Sequence, residues 1–219
     1  MSRVLIIGCG ALAAEITALK KANNWSQVDV QCLDAALHNR PERIAGELER
    51  VLLTLHNDYE KIVIAYADCG SGGGIDRVAE RFGAQRLPGA HCYEFFATSD
   101  VFKVLAESEP GTFYLTDFLV RHFNRLVIDD MKLDQHPEIE AMLFGHYRKV
   151  VYLAQTVDAK LRDAARLAAT RLGLPLEIID TGYGLLGESL EAQVISVSQG
   201  VSGAANRCFL AGHTLANSD

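Results

Sequence analysis

Residues 4–16 read VLIIGCGALAAEI, and this stretch decides how the fold begins. An apolar run that stops at Gly8-Cys9-Gly10 is typical of a buried strand followed by a tight turn and a helix. The glycine spacing fits Gly-x-Gly-x-x-Ala, and Asp34 follows at the end of a second apolar run, so one interpretation is a dinucleotide-binding turn. The other interpretation is a loop that presents Cys9.

Short apolar runs alternate with amphipathic segments of helix length along the rest of the chain. We predict strands over residues 4–8, 28–33, 61–67, 84–87, 149–155, 176–182 and 194–199. We predict helices over residues 11–23, 42–56, 76–82 and 157–173, with a further helical segment beginning in the loop PGAHCYEFF. This alternation predicts an α/β fold with mainly parallel sheets flanked by helices, built from Rossmann-like β-loop-α units.

Three segments share the same order of strand, loop, helix, short strand and polar loop. They begin at RVLIIG, KIVIAY and KVVYLA. We therefore predict a single α/β domain over residues 1–219, built from two or three β-loop-α-β units at about 1–60, 61–148 and 149–200. The alternative is the ordinary self-similarity of any α/β protein.

Composition narrows the function classes. The net charge is −7 and no basic run is present, which argues against a nucleic-acid partner. The apolar start is interrupted by glycines and is too short to cross a bilayer, so we expect no membrane association. Five cysteines without a secretory leader indicate reduced thiols and a cytoplasmic location.

Three cysteines lie just beyond predicted strand ends: Cys9, Cys69 and Cys92. Loops at the carboxyl ends of parallel strands converge, so we expect these thiols to surround one metal centre. Thiolates bind zinc or an iron-sulfur cluster, and His91 is a candidate nitrogen ligand. We favour zinc, with an iron-sulfur cluster as the alternative. The competing interpretation is that the thiols are buried and unligated.

Three acidic residues near these loops are candidate catalytic groups. Glu15, Asp68 and Glu94 are candidates for a general base, and the last two could also supply an oxygen ligand or an acceptor for a metal-bound residue.

Two polar loops are candidates for binding a cofactor or substrate. Gly70, Gly72 and Gly73 precede a predicted helix, where free amides could hold a carboxylate or phosphate; a flexible turn is the alternative. Asp180 and Thr181 would face the cysteine loops if the repeat is real. Otherwise one of them caps a helix.

The segment PGTFYLTDFLVRHF combines aromatic and polar residues. It could line a pocket for a flat or anionic ligand. We favour the alternative, in which its aromatic side chains form the buried face of a helix.

The motifs taken together resemble a known family. The early Cys9 with Glu15, the segment AYADCGSGGGID, LPGAHCYEFF and PGTFYLTDFLVRHF occur in the order found in the prokaryotic family called domain of unknown function sixteen-thirty-eight. The resemblance covers about residues 3–200. His91 stands where related sequences more usually have an Asp, which weakens an acidic ligand at that position and leaves the match at Cys92 intact.

The resemblance also suggests a pathway. Members of that family are often encoded near corrinoid-dependent methyltransferases, corrinoid proteins and folate enzymes. We therefore expect a metal-dependent enzyme or accessory protein of one-carbon metabolism, such as a methyltransferase, acting on a small molecule. A corrinoid or folate would be its substrate, and a corrinoid protein or methyltransferase its partner. The alternatives are a non-catalytic protein that binds a metal, a corrinoid or a small acid, and a nucleotide-binding oxidoreductase.

Overall fold

Two parallel sheets organise the chain in the computed structural model, which describes residues 3–198. The first sheet has the order β2-β1-β3-β4 and contains β1 (Val4–Cys9), β2 (Val28–Leu33), β3 (Lys61–Ala65) and β4 (Gln85–Arg86). The second has the order β5-β6-β7 and contains β5 (Thr112–Thr116), β6 (Lys149–Ala154) and β7 (Leu176–Asp180). Every strand pair in both sheets is parallel. The α/β prediction is confirmed.

Helices flank both sheets. They are α1 (Ala13–Ala22), α2 (Ile44–Leu55), α3 (Gly74–Arg81), α4 (Glu94–Ala97), α5 (Ser99–Ser108), α6 (Asp117–Arg121), α7 (Pro137–Phe144), α8 (Ala159–Leu172) and α9 (Gly184–Ser198), with a π-helix at Asn124–Asp129. The three similar segments fold as β1-α1-β2, β3-α3-β4 and β6-α8-β7. The division into units at residues 60 and 148 stays a prediction. Among residues 3–198, no helix combines the length and apolar character needed to cross a membrane.

The central strands are buried because their side chains are apolar on both faces. Val4 to Ile7 of β1 are at most 1% exposed, which is typical of a parallel strand covered by helices on both sides. A second cluster of buried apolar side chains surrounds β5 and β6. The turn that follows β1 contacts α6, the helix that follows β5. This turn of the first sheet therefore lies beside the second sheet.

The strand predicted at residues 194–199 is wrong. Residues 194–198 belong to α9, and Gln199 lies outside the described residues. Leu186, Leu190 and Val194 are almost fully buried at a spacing of four residues, which places them on one helical face. That face joins the core of the first sheet, and α9 contacts α4 and β3. The short apolar run VIS was predicted as a strand because it contains only the end of the apolar face of α9, which is too short to show helical spacing.

The aromatic segment also differs from the favoured interpretation. Its first half, Thr112–Thr116, is the edge strand β5, and only Asp117–Arg121 is helical. Thr, Phe and Tyr side chains suit a pleated strand, and Thr116 caps the helix by accepting a hydrogen bond from the Leu119 amide.

Gly184, the first residue of α9, tests how closely this helix packs. Its φ is +47°, and a Cβ there would lie 2.6 Å from the Phe95 carbonyl oxygen. We expect Gly184→Ala to lower the free energy of unfolding by about 2–3 kcal/mol. Gly46, within α2, has no atom within 4 Å of an added Cβ, so Gly46→Ala should instead stabilise by up to about 1 kcal/mol. Urea unfolding of both variants measures the difference, and equal stabilities would refute the close packing of α9.

Candidate functional site

Cys9 is the last residue of β1 and begins the turn at the carboxyl edge of the first sheet. Its Sγ accepts a hydrogen bond from the Ala11 amide at 3.4 Å, which caps the short helical turn that follows. The side chain is buried, and this burial raises the pKa of the thiol to about 11.

The glycines on either side of Cys9 have packing reasons of their own. A Cβ at Gly8 would lie 2.6 Å from Ile16 Cδ1, and one at Gly10 would lie 2.8 Å from the Leu33 carbonyl oxygen. Asp34, the candidate ribose-binding carboxylate, accepts a hydrogen bond from the Ala36 amide instead. Glycine is therefore needed here for the close approach of α1 and β2, a packing requirement that fits both the loop and the nucleotide interpretation.

Backbone hydrogen bonds bring the loops of Cys69 and Cys92 together. The Asp68 amide donates to the Gly89 carbonyl at 3.1 Å, and the Cys69 amide donates to the Ala90 carbonyl at 2.9 Å. Cys69 itself has a φ of +48°, a left-handed conformation that is strained for a residue with a side chain. Such strain persists only where neighbouring contacts hold the backbone, as these two hydrogen bonds do.

The three thiols are close enough to alter one another's ionisation. The neighbouring Cys92 thiol lowers the pKa of Cys69, although burial opposes this change. The same interaction raises the pKa of Cys92, with further contributions from burial and from the charges of Cys69 and Cys9. Cys69 is therefore the first of the pair to become a thiolate.

Tyr66 adds an unpaired polar group to this cluster. Its side chain is 2% exposed and its hydroxyl has no hydrogen-bond partner among the described residues. Burial raises the pKa of this phenol, and the nearby Cys9 raises it further. The hydroxyl approaches the Cys9 thiol without the geometry of a hydrogen bond. Its position directly after β3 and three residues before Cys69 is the signal that sequence reasoning overlooked.

The predicted metal ligands do not form a ligand set in this structure. Within residues 3–198, no group of three His, Cys, Asp or Glu side chains is placed to hold a metal ion. The His91 ring lies on the surface, where it stacks near Tyr93 with 6.5 Å between ring centroids. The metal site therefore stays a prediction, and what the structure brings together is the three cysteines.

Asp68 organises the glycine loop that follows β3. Its Oδ1 accepts hydrogen bonds from Ser71 Oγ at 2.7 Å and from the Gly73 amide at 2.8 Å. These bonds, the one from the Gly73 amide most strongly, lower the pKa of the carboxyl group. Gly70, Gly72 and Gly73 all have positive φ, so the turn requires residues without a side chain.

Glu94 plays the same kind of role in the other loop. Its Oε1 accepts from the amides of Ala90 and His91, at 2.8 and 3.0 Å, and its Oε2 accepts from Ser99 Oγ. Burial raises its pKa, but the Ser99 hydroxyl and the two amides outweigh this effect and the net shift is downward. Both acids thus hold the cysteine-bearing loops in shape.

Glu15 lies on the other side of the turn, towards the second sheet. It is 4% exposed, and its Oε2 has no hydrogen-bond partner among the described residues. Burial raises the pKa of Glu15, and the charge of Asp117 raises it further while that of Arg121 lowers it. Glu15 therefore lies near enough to Asp117 and Arg121, which follow β5, for their charges to change its pKa.

Asp117, which sequence reasoning did not select, is the most extensively bonded acid in this region. Its side chain is fully buried and accepts hydrogen bonds from Tyr152 Oη at 2.6 Å, the Gln155 amide at 3.0 Å and Thr156 Oγ1 at 2.5 Å. These partners come from β6 and the loop after it. The signal in the sequence is an acid directly after a strand, as at Asp68.

Asp180 and Thr181 follow β7 and are engaged with their own sheet. Asp180 forms an ion pair with Arg162 of α8, and Thr181 donates from its amide and hydroxyl to the Ala154 carbonyl. These contacts anchor the loop after β7; they do not test a role in binding a ligand.

A cavity of about 380 Å³ adjoins the cysteine cluster between the turn after β1 and strand β5. Cys92 lies in its wall, and aromatic side chains provide much of the remainder: Tyr93, Phe102, Phe113, Tyr114, Phe118 and Tyr147. Phe113, Tyr114 and Phe118 come from the aromatic segment that sequence reasoning considered as a pocket wall.

Comparison with known families agrees with the resemblance seen in the sequence. The sequence profile of the family described as "Protein of unknown function (DUF1638)" matches residues 32–190, which is most of the chain. The chain belongs to this family. Cys69, Cys92 and Asp117 lie inside the matched range of this DUF1638 protein, whereas Cys9 and Glu15 precede it. No curated protein sequence matches the chain.

The opposite pKa shifts of Cys69 and Cys92 predict an order of alkylation. In chelator-treated protein, iodoacetamide should modify Cys69 at a lower pH than Cys92 or Cys9, because its thiolate forms first. Cys92→Ala removes the thiol that lowers the pKa of Cys69 and should move the Cys69 midpoint to higher pH. Peptide mass spectrometry across a pH series measures these midpoints, and an earlier reaction of Cys92 would reverse the assignment.

The Asp117 network predicts a large effect on stability. Asp117→Ala leaves the buried Tyr152 and Thr156 hydroxyls unpaired and should lower the free energy of unfolding by about 3 kcal/mol. Asp163 is a matched control because it is 72% exposed and pairs with Arg166 on the same helix. Asp163→Ala should cost no more than about 0.5 kcal/mol in urea unfolding. Similar losses in both variants would contradict the structural role of Asp117.

Proposed function

We propose that this protein is a metal-dependent enzyme or accessory protein of one-carbon metabolism in which Cys9, Cys69 and Cys92 hold a zinc ion. The observation that supports the metal centre is the pair of hydrogen bonds that joins the Cys69 loop to the Cys92 loop, one strand away from Cys9. Three soft thiolate ligands from neighbouring loops suit zinc and leave a fourth position for a substrate.

The thiol side chains of the cysteine cluster are suitable metal ligands, but among the described residues they are not positioned as a ligand set. The Tyr66 hydroxyl is buried without a hydrogen-bond partner among the described residues, and the three cysteines near it are free thiols. The thiols are not yet arranged as ligands, so metal binding requires the loops at 68–73 and 89–92 to adjust. Such an adjustment would replace some of the hydrogen bonds by which Asp68 and Glu94 hold these loops.

The three candidate acidic residues have different roles. Asp68 and Glu94 are occupied in holding their loops, whereas Glu15 keeps one buried carboxylate oxygen free of partners. We therefore assign proton transfer to Glu15, because burial raises its pKa above the ordinary value of a carboxyl group, the direction that suits a general acid or base. When bound, zinc would activate a substrate thiol or polarise a substrate oxygen.

The one-carbon assignment rests on the family. Members of the DUF1638 family are often encoded near corrinoid-dependent methyltransferases and folate enzymes, so we propose a corrinoid or folate substrate and a corrinoid protein or methyltransferase as partner. A cytoplasmic location is part of the same proposal.

Elemental analysis of anaerobically purified protein tests the metal centre. We expect about one zinc per chain, lost in Cys69→Ser and in Cys92→Ser without a change in far-ultraviolet circular dichroism. Cys32→Ser is the matched control because Cys32 is a free, half-buried cysteine of the same sheet, and it should retain the metal. Cys208, which lies outside the described residues, should also be dispensable.

The alternatives give different results. Brown protein with about four irons per chain would show that the three cysteines hold an iron-sulfur cluster and not zinc. Metal that persists in both serine variants would refute the site. Zinc at this site without turnover on any corrinoid or folate methyl donor would favour the non-catalytic binding protein.

A further inference from the structure

We propose that the cavity beside Cys92 binds a small, uncharged aromatic molecule. This inference goes beyond the proposed function: the guest is a second molecule, smaller than the corrinoid or folate proposed there, that binds beside the cysteine site. Its volume of about 380 Å³ lies in the range of small-molecule sites.

The aromatic walls suit a flat ring. Tyr93, Phe102 and Tyr114 pack against one another, with centroid distances of 5.8 Å, 5.3 Å and 5.1 Å between the pairs. These distances are typical of favourable aromatic contacts, and the packed rings provide a surface against which the ring of a bound molecule can stack. A flat aromatic guest therefore gains more here than an aliphatic guest of equal volume.

The lining excludes a charged guest. In the part of the chain that the structure describes, no Asp, Glu, Lys or Arg side chain lines this cavity. A carboxylate or ammonium group would lose its hydration there without gaining an opposite charge. The flat ligand considered for the aromatic segment is thus favoured over the anionic one.

The exposed part of the lining supplies polar contacts from His38, Asn39 and His91, whereas other lining side chains such as Leu126 are buried. The buried Tyr114 hydroxyl, which has no hydrogen-bond partner among the described residues, is a further polar group of the lining. A guest would therefore insert its ring and leave a neutral polar substituent, such as a hydroxyl, ether or amide, among the exposed imidazole and amide groups.

Cys92 connects this cavity with the cysteine cluster. It lines the cavity, and its thiol interacts with Cys69 behind it. A bound ring would therefore lie in contact with the edge of the cluster, where a substituent could reach the proposed metal position.

A matched pair of fluorescent probes tests both the aromatic and the charge requirement. N-phenyl-1-naphthylamine is neutral, and 1-anilinonaphthalene-8-sulfonate has the same rings with one negative charge. We expect the neutral probe to bind one site per chain, at least about tenfold more tightly than the anionic probe. Titrations use chelator-treated and metal-loaded wild-type protein, and binding to both forms keeps this result separate from the test of the metal centre.

Two variants locate the site. Ala35 lines the cavity and Ala36 does not, so Ala35→Phe should weaken binding of the neutral probe by about tenfold or more while Ala36→Phe leaves it unchanged. Phe102→Leu keeps an apolar side chain but removes one ring and should weaken binding by about threefold to tenfold. Phe102→Leu tests the location of the site if Ala35→Phe does not fold.

The proposal is overturned by any of three results: no saturable binding of the neutral probe, equal or tighter binding of the anionic probe, or unchanged affinity in folded Ala35→Phe and Phe102→Leu. Loss of metal with retained probe binding would refute the zinc centre alone.

Discussion

Two backbone hydrogen bonds hold the candidate site together: Asp68 to Gly89 and Cys69 to Ala90. They continue the pairing of β3 with β4 beyond the short β4 strand and fix two loops that would otherwise be free to separate. Because β1 pairs with β3 on the other side, the same edge of the sheet also presents Cys9. The convergence of the thiols thus follows from parallel strand pairing.

The polar side chains around this edge support the loops more than they face a ligand. Asp68 accepts two hydrogen bonds within its loop and Glu94 accepts three, and these bonds lower the pKa of both carboxyl groups. Glu15 and Tyr66 differ, since each has a buried oxygen without a hydrogen-bond partner in residues 3–198. An unpaired buried polar atom costs free energy, and a site that binds a ligand is a common reason for retaining one.

Local patterns predicted the part of the fold that depends on neighbouring residues. Strand ends, the end of α8 at Gly173 and the positions of Cys9, Cys69 and Cys92 could be predicted because apolar runs and turn residues mark them. The helical state of residues 194–198 could not, because it depends on packing of Leu186 and Leu190 against α4 and β3. The surroundings of Glu15 and the Asp117 network could not be predicted either, since they involve residues far apart in the sequence.

The central claim is that three thiols from three loops of one sheet bind one metal ion. X-ray absorption spectroscopy at the zinc edge of the metal-loaded protein measures the ligands directly. The account predicts three sulfur neighbours at about 2.3 Å and one lighter atom or exchangeable ligand. A first shell made of nitrogen and oxygen atoms, or one with a single sulfur, would contradict it.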